Sequence, residues 1–207
     1  MKPSLAPLRP LLFALAAAGL SGCVTVFPKE KAVQLYRFDD LATAPAAAPV
    51  PARFTVRATV SAFTAPAAGD RILSASGDNT AYIAQARWVS SARDEFGDAL
   101  AHAFESHPGP AALLGPGEPV SADKRLFVQV DTFEVRFVDG PHTAPHVVIA
   151  LRAALESARN PGMRQAREFQ AEVPAEADAM SAIVPAFDKA VSDVLGQLVT
   201  WVDAAPG

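Results

Sequence analysis

The chain has 207 residues, room for one domain or two small ones, and 50% of them are hydrophobic, which excludes intrinsic disorder. A formal charge of −4 argues against nucleic acid as a partner, because such binders carry a basic excess or patch. One cysteine makes no internal disulfide, and four scattered histidines are thin material for a metal enzyme.

The N-terminus has a signal-peptide layout over residues 1–22. Lys2 and Arg9 give a positive start, Leu11 to Ala18 an apolar core, and small residues follow. The apolar stretch is shorter than the ~20 residues a bilayer span needs. Leu20-Ser21-Gly22-Cys23 resembles the bacterial lipobox, in which the cysteine thiol receives a diacylglyceryl group and cleavage falls just before it. The sole cysteine of the chain stands at that spot, so Cys23 is the expected lipid attachment site and acyl chains the expected anchor. Residues 23–32 then form a tether. Val24 follows the cysteine where enteric inner-membrane retention signals carry Asp, which by resemblance favours the outer membrane, facing the periplasm. The acidic body would not be drawn to anionic headgroups, so the tether does the holding.

Val33 to Phe38 alternates as a first strand, and the Pro/Ala-rich residues 42–52 read as an extended surface loop. Phe54, Val56, Ala58, Val60 and Ala62 alternate with polar residues, a strand with one wet face. Arg71–Ser74 and Thr80–Ala84 flank the turn signal Ser76-Gly77-Asp78-Asn79. The period then changes. Ser91-Ala92-Arg93-Asp94 resembles a capping box with Asp for Glu, and Phe96, Ala99, Leu100, Ala103 and Phe104 predict a helix over about 91–105. Prolines and glycines in 108–119 stop it. In 125–138 the apolar phase moves from Leu126, Val128, Val130 to Phe133, Val135, Phe137, which predicts a β-bulge near Asp131-Thr132. Val147–Ser157 and Arg164–Val173 are further strands around the turn at Asn160-Pro161-Gly162. A stripe from Met180 to Val202 predicts a helix over about 178–203, with Pro185 near its start and kinking it. The order β-β-β-β-α-β-β-β-α gives an α+β fold, an antiparallel sheet covered by two main helices.

Asp70-Arg71-Ile72-Leu73, then Tyr82-Ile83-Ala84-Gln85-Ala86-Arg87-Trp88-Val89, then an amphipathic helix, is similar to the core motif of ABC-type transport auxiliary lipoproteins of the PqiC-like kind. Leu126 to Glu134 matches a later family strand, and the chain closes with a helix as the family does. The likeness spans most of residues 33–203 and sets the domain at 33–204. It departs in the Pro-rich 108–119 segment and just after Trp88. The resemblance implies a non-enzymatic role beside an ABC permease and ATPase whose substrate-binding component is an MCE-domain protein, moving phospholipids or other hydrophobic molecules between the membranes.

No nucleophile elbow or phosphate loop is present, so no catalytic residue and no cofactor is expected. Pro141 and Pro145 put His142 and His146 in a loop as surface residues, and no metal is expected there. His102 is an edge residue, and Asp131 and Glu134 read as a solvated strand face rather than paired catalytic carboxylates. Within the family motif, Trp88 is the anchor between sheet and helix, and Arg71 and Arg87 pair within the fold, with Tyr82 beside them; partner contact is the other role open to these four. Trp201 lies off the main stripe and is the candidate surface for a transport partner or a homo-oligomer. A stand-alone lipid- or lipopolysaccharide-handling lipoprotein with an apolar cavity is the alternative, since a core and a lipid groove use the same residue types.

Overall fold

The computed structural model describes residues 32–38, 51–107, 109–140 and 142–206. Residues 1–31, which include the expected signal peptide, Cys23 and nearly all of the expected tether, lie outside the described residues, as do residues 39–50, Pro108, Pro141 and Gly207. In chain order the elements are β1 (Gln34–Tyr36), β2 (Phe54–Phe63), β3 (Arg71–Ser76), β4 (Asn79–Trp88), α1 (Ala92–Ser106), β5 (Ala111–Leu113), β6 (Lys124–Phe137), β7 (His146–Ser157), β8 (Arg164–Pro174) and α2 (Met180–Asp203). Gly77, with φ 56°, takes the left-handed conformation that the tight β3–β4 turn requires. The expected order stands except for β5, a short strand in the proline-rich segment.

β6 organises the sheet. Along one edge β7 pairs antiparallel from Lys124 opposite Ser157 to Arg136 opposite His146, and β8 continues antiparallel beyond β7. The opposite edge is shared, with β2 parallel to the first half of β6 and β3 parallel to its end at Val135–Phe137. β5 lies parallel outside β2, β4 antiparallel outside β3, and β1 parallel on β4. The α+β class holds, but the pairing is mixed rather than wholly antiparallel. β2 and β3 form one interrupted line on the same edge of β6, so they keep a common direction instead of folding back as a hairpin. The long connection through β4 and α1 supplies the crossover that parallel pairing with β6 needs.

The predicted bulge is present: the β6–β7 register shifts between Val130 and Thr132. Leu126, Val128 and Val130 before it and Phe133 and Val135 after it are all buried. Against them α2 turns ten residues inward, from Ile183 to Val202. Each fully buried Val, Leu, Ile or Phe contributes ~1.5–3 kcal/mol. Pro185 sits inside α2, where it has no N–H to give the Ser181 carbonyl. α1 packs on β2 and β5, α2 on β7 and β8, and the two helices touch. Phe38, Trp88, Phe133 and Phe187 meet at the centre with ring centroids 4.8 Å (Phe38–Trp88), 5.0 Å (Trp88–Phe187) and 5.1 Å (Phe133–Phe187) apart.

Candidate functional site

The motif of residues 70–94 folds into a joint built around a short excursion from the sheet. Thr64 still donates its N–H to the Val130 carbonyl (2.9 Å). Pro66 then lies in the 3-10 turn Ala65–Ala67, and a residue without an N–H cannot extend the ladder. Several carbonyls of this excursion accept hydrogen bonds from the neighbouring elements. Gly69 and Ala68 accept from the N–H groups of Ala92 (2.9 Å) and Arg93 (3.3 Å), donors at the start of α1 that lack intrahelical partners. Asp70 accepts from the Trp88 N–H (2.8 Å), and Pro66 from the Tyr82 hydroxyl (3.0 Å). Ser91 caps α1 by accepting from the Asp94 N–H (3.1 Å). Glu95 rather than Asp94 reaches back, past the cap to the preceding residue: its Oε1 accepts from the Ser90 N–H at 3.0 Å. Glu95 is buried, and the positive end of the helix dipole suits its charge.

β4 carries a second bulge. Tyr82 stands opposite Leu73 but Arg87 opposite Arg71, so residues 83–86 face Ile72 alone. Gln85 takes the left-handed conformation there, with φ 60°. The odd number of extra residues turns Trp88 inward, where it is 2% exposed. Arg87 turns outward and pairs with Asp70 at 3.0 Å. The Arg71 guanidinium lies 4.9 Å from the centre of the Tyr82 ring, a cation–π contact and not an ion pair. Leu35 pairs in register with Arg87. Leu35, Arg87 and Arg71 therefore form a row on the outer face with Tyr82 beside them, and Leu35 and Tyr82 are 61% and 41% exposed. Of the four motif residues, one is core and three are surface. Leu35 was not singled out from the sequence, because only its neighbour across the parallel β1–β4 pair gives it a place in the row.

The remaining candidates separate. Trp201 is half-buried, its ring 5.6 Å from that of Phe169 on β8. Asp131 accepts from Arg152 at 2.8 and 2.9 Å, and Glu134 from Arg136 at 2.6 Å, so these carboxylates are not a shared acid–base pair. His102 lies 4.0 Å from Glu105, His142 3.5 Å from Asp178, and His146 2.7 Å from Glu172. Among the described residues no cluster of three or more His, Cys, Asp or Glu side chains could hold a metal ion. No described helix is long and apolar enough to cross a membrane. An apolar groove of about 430 Å³ opens between the ends of β3, β4 and β6 and the start of α2, lined by Ser74, Ile83, Phe137, Met180 and Ile183.

The family described as ABC-type transport auxiliary lipoprotein component matches residues 36–199. The chain belongs to this family. Among solved structures it is similar to protein XCC0632 from Xanthomonas campestris, of family DUF330, at 21% identity and TM-score 0.63, over 75% of this chain and 89% of that one. It is also similar to an uncharacterized protein at 16% identity and TM-score 0.64, over 83% of this chain and 99% of that one. Both likenesses concern the fold alone. No curated protein matches. The family is that of an auxiliary transport lipoprotein and is not a known enzyme family.

Proposed function

We propose that the protein is the outer-membrane lipoprotein of an MCE-type ABC transport system. Acyl chains on Cys23 hold it, residues 23–32 tether it, and the domain 33–204 faces the periplasm. It assists the passage of phospholipid or another hydrophobic molecule between the membranes and does no chemistry of its own. The observation that carries this reading is the family match over residues 36–199 in a chain whose only cysteine ends Leu20-Ser21-Gly22-Cys23. Gln34 opens β1 eleven residues after Cys23, and an extended chain spans at most ~3.3–3.6 Å per residue. The β1–β4 end of the sheet would then stay within about 40 Å of the anchoring bilayer. On that end the row Leu35–Arg87–Arg71 with Tyr82 is the proposed contact face for the MCE-domain protein, since aromatic and arginine side chains are the usual anchors of interfaces. Trp201 is a second contact surface, for self-association or for the same partner.

Two measurements test it. Labelled fatty acid is expected to enter the wild-type chain and not Cys23→Ser, because a hydroxyl is a far poorer acyl acceptor than a thiolate. Crosslinking and pull-down from intact cells should recover an MCE-domain protein with its permease and ATPase, in reduced yield from Arg71→Ala/Tyr82→Ala and from Trp201→Ala. Unchanged yield at normal melting temperature would remove those residues from the contact. The groove beside Phe137 and Ile183 favours one other reading, a stand-alone lipid- or lipopolysaccharide-handling lipoprotein. Native mass spectrometry showing bound lipid, with no MCE-domain protein among the crosslinked partners, would select it.

A further inference from the structure

Lys124 opens β6 in the phase of Leu126, Val128 and Val130, so strand alternation carries it to the buried side of the sheet. It is 8% exposed. Its ammonium lies 4.3 Å from the centre of the Phe54 ring and donates to the Pro206 carbonyl. An ammonium has three donors, and burial pushes its pKa below the ordinary lysine value, with Asp123 opposing the shift. The neighbouring Asp123 carboxylate engages Thr55 and Arg159. It accepts from the Thr55 N–H and hydroxyl, both at 2.9 Å, and pairs with Arg159 at 3.4 Å.

A cavity of about 290 Å³ opens against Lys124, and Arg53 and Arg159 stand in its wall. Three cations and one engaged carboxylate thus gather in a chain whose formal charge is −4. Ser157 and Gln165 add neutral polar groups to the lining, and the rest is apolar, with Phe54 and Leu155 buried and Met163 58% exposed. Pockets for whole drug-sized ligands run from ~300 to 1,000 Å³, so this one holds a head group and the first atoms of a tail, not a pair of acyl chains.

We propose that the cavity binds the head group of a phosphate-bearing lipid, its phosphate oxygens held by Lys124, Arg53 and Arg159 and the root of its tail lying along Met163. A phosphate offers three strong acceptor oxygens to the three cations that line this cavity. The proposal rests on the lipid-transport reading, and names a class of cargo and where it is held. Calorimetric titration of the full chain with dihexanoyl phosphatidic acid, inorganic phosphate and dihexanoyl glycerol tests it. Saturable binding of the phosphatidic acid is expected, weakened about tenfold or more in Arg53→Gln/Arg159→Gln. Both arginines are exposed, so this variant keeps its fold, whereas Lys124→Met is read only if its melting matches wild type. Undiminished binding by the double variant, or equal binding of the phosphate-free glycerol, overturns the site. Equal affinity for inorganic phosphate overturns the role of the tail. No binding at all overturns the site too, while crosslinking to an MCE-domain protein, read separately, keeps or loses the transport reading on its own.

Discussion

Among the described residues the sheet ladders shift register at three places, in β2 between Val60 and Ala62, in β6 and in β4. The last two are each flanked by an Asp–Arg pair on the outer face, Asp131–Arg152 in β6 and Asp70–Arg87 beside β4. They differ in what they hold. The β6 bulge is one residue set between two apolar runs that both face the helices, and its ladder to β7 resumes at once. The β4 bulge takes several residues and passes through a left-handed glutamine, and the Trp88 N–H at its end ties it to the 64–70 excursion, which in turn accepts from the start of α1. The first corrects the phase of a strand. The second assembles a joint among β1, β3, β4 and α1, and it is there that the family motif falls. A motif can therefore mark a place where backbone must be held rather than a place where chemistry occurs.

Removing the inserted residue gives the largest expected effect. Deletion of Asp131 forces Phe133 and Val135 to the outer face or pulls β6 out of register with β7, because side chains alternate with period two. The variant should show no cooperative melting. A folded, cooperatively melting deletion would mean that β6 can re-register, and that the bulge is incidental.

The β6 bulge was legible in the sequence and the β4 bulge was not. Leu126, Val128 and Val130 set a phase, and Phe133, Val135 and Phe137 break it by one step. Along β4, Ala81, Tyr82, Ile83, Ala84 and Ala86 are apolar on both phases, so a slip leaves no trace, and Gln85 is not the Gly or Asn that normally announces a left-handed residue. The same logic covers the rest. Both helices were legible from their 3.6 period and the Ser91 cap, while β5 is too short to show a period. The parallel pairings could not be read, since nothing local records that β2 and β3 share one edge of β6. Trp88 was singled out from the sequence, and the structure buries it. Lys124 was not singled out, although a lysine in phase with Leu126 and Val128 is a visible signal.

At the β4 bulge the anchor is the next largest effect. Trp88→Ala should lower stability by ~3–5 kcal/mol, the cost of emptying a large aromatic site in a core. A fall in the denaturant midpoint with the slope unchanged checks it. A near-wild-type midpoint with lost partner crosslinking would instead make Trp88 a contact residue. Gln85→Gly tests the strain in the same turn and has the opposite sign. A left-handed L-residue costs ~1–2 kcal/mol, and glycine gives back ~0.5–1 kcal/mol through the freedom of its unfolded chain. The variant should be stabilised by up to about 1 kcal/mol, seen as a higher melting temperature. No comparable gain is expected from glycine at Asp131, which has no left-handed backbone to relieve.

The smallest effect separates the charge of the β6 bulge from its length. Asp131→Asn keeps the residue count and removes the carboxylate. The Arg152 hydrogen bonds, helped by Gln129, hold the Asp131 pKa below its ordinary value of 3.8. A depressed pKa means that folding favours the ionised form. Its stabilisation is present in full above the unfolded-chain value and fades as pH falls through the native one. Both partners are partly exposed, with Asp131 at 33% and Arg152 at 55%, so solvent screening leaves the pair a small contribution to stability. At neutral pH the variant should melt slightly below wild type, and the two curves should converge as pH drops below about 4. Asp123, whose pKa is lowered by its hydrogen bonds to Thr55, remains in both proteins, so neither loses its acid sensitivity altogether. A loss of several kcal/mol at neutral pH, or a gap that widens in acid, would show that the carboxylate itself holds the bulge in place, and the contrast between a charge-indifferent β6 bulge and the hydrogen-bonded β4 joint would fail.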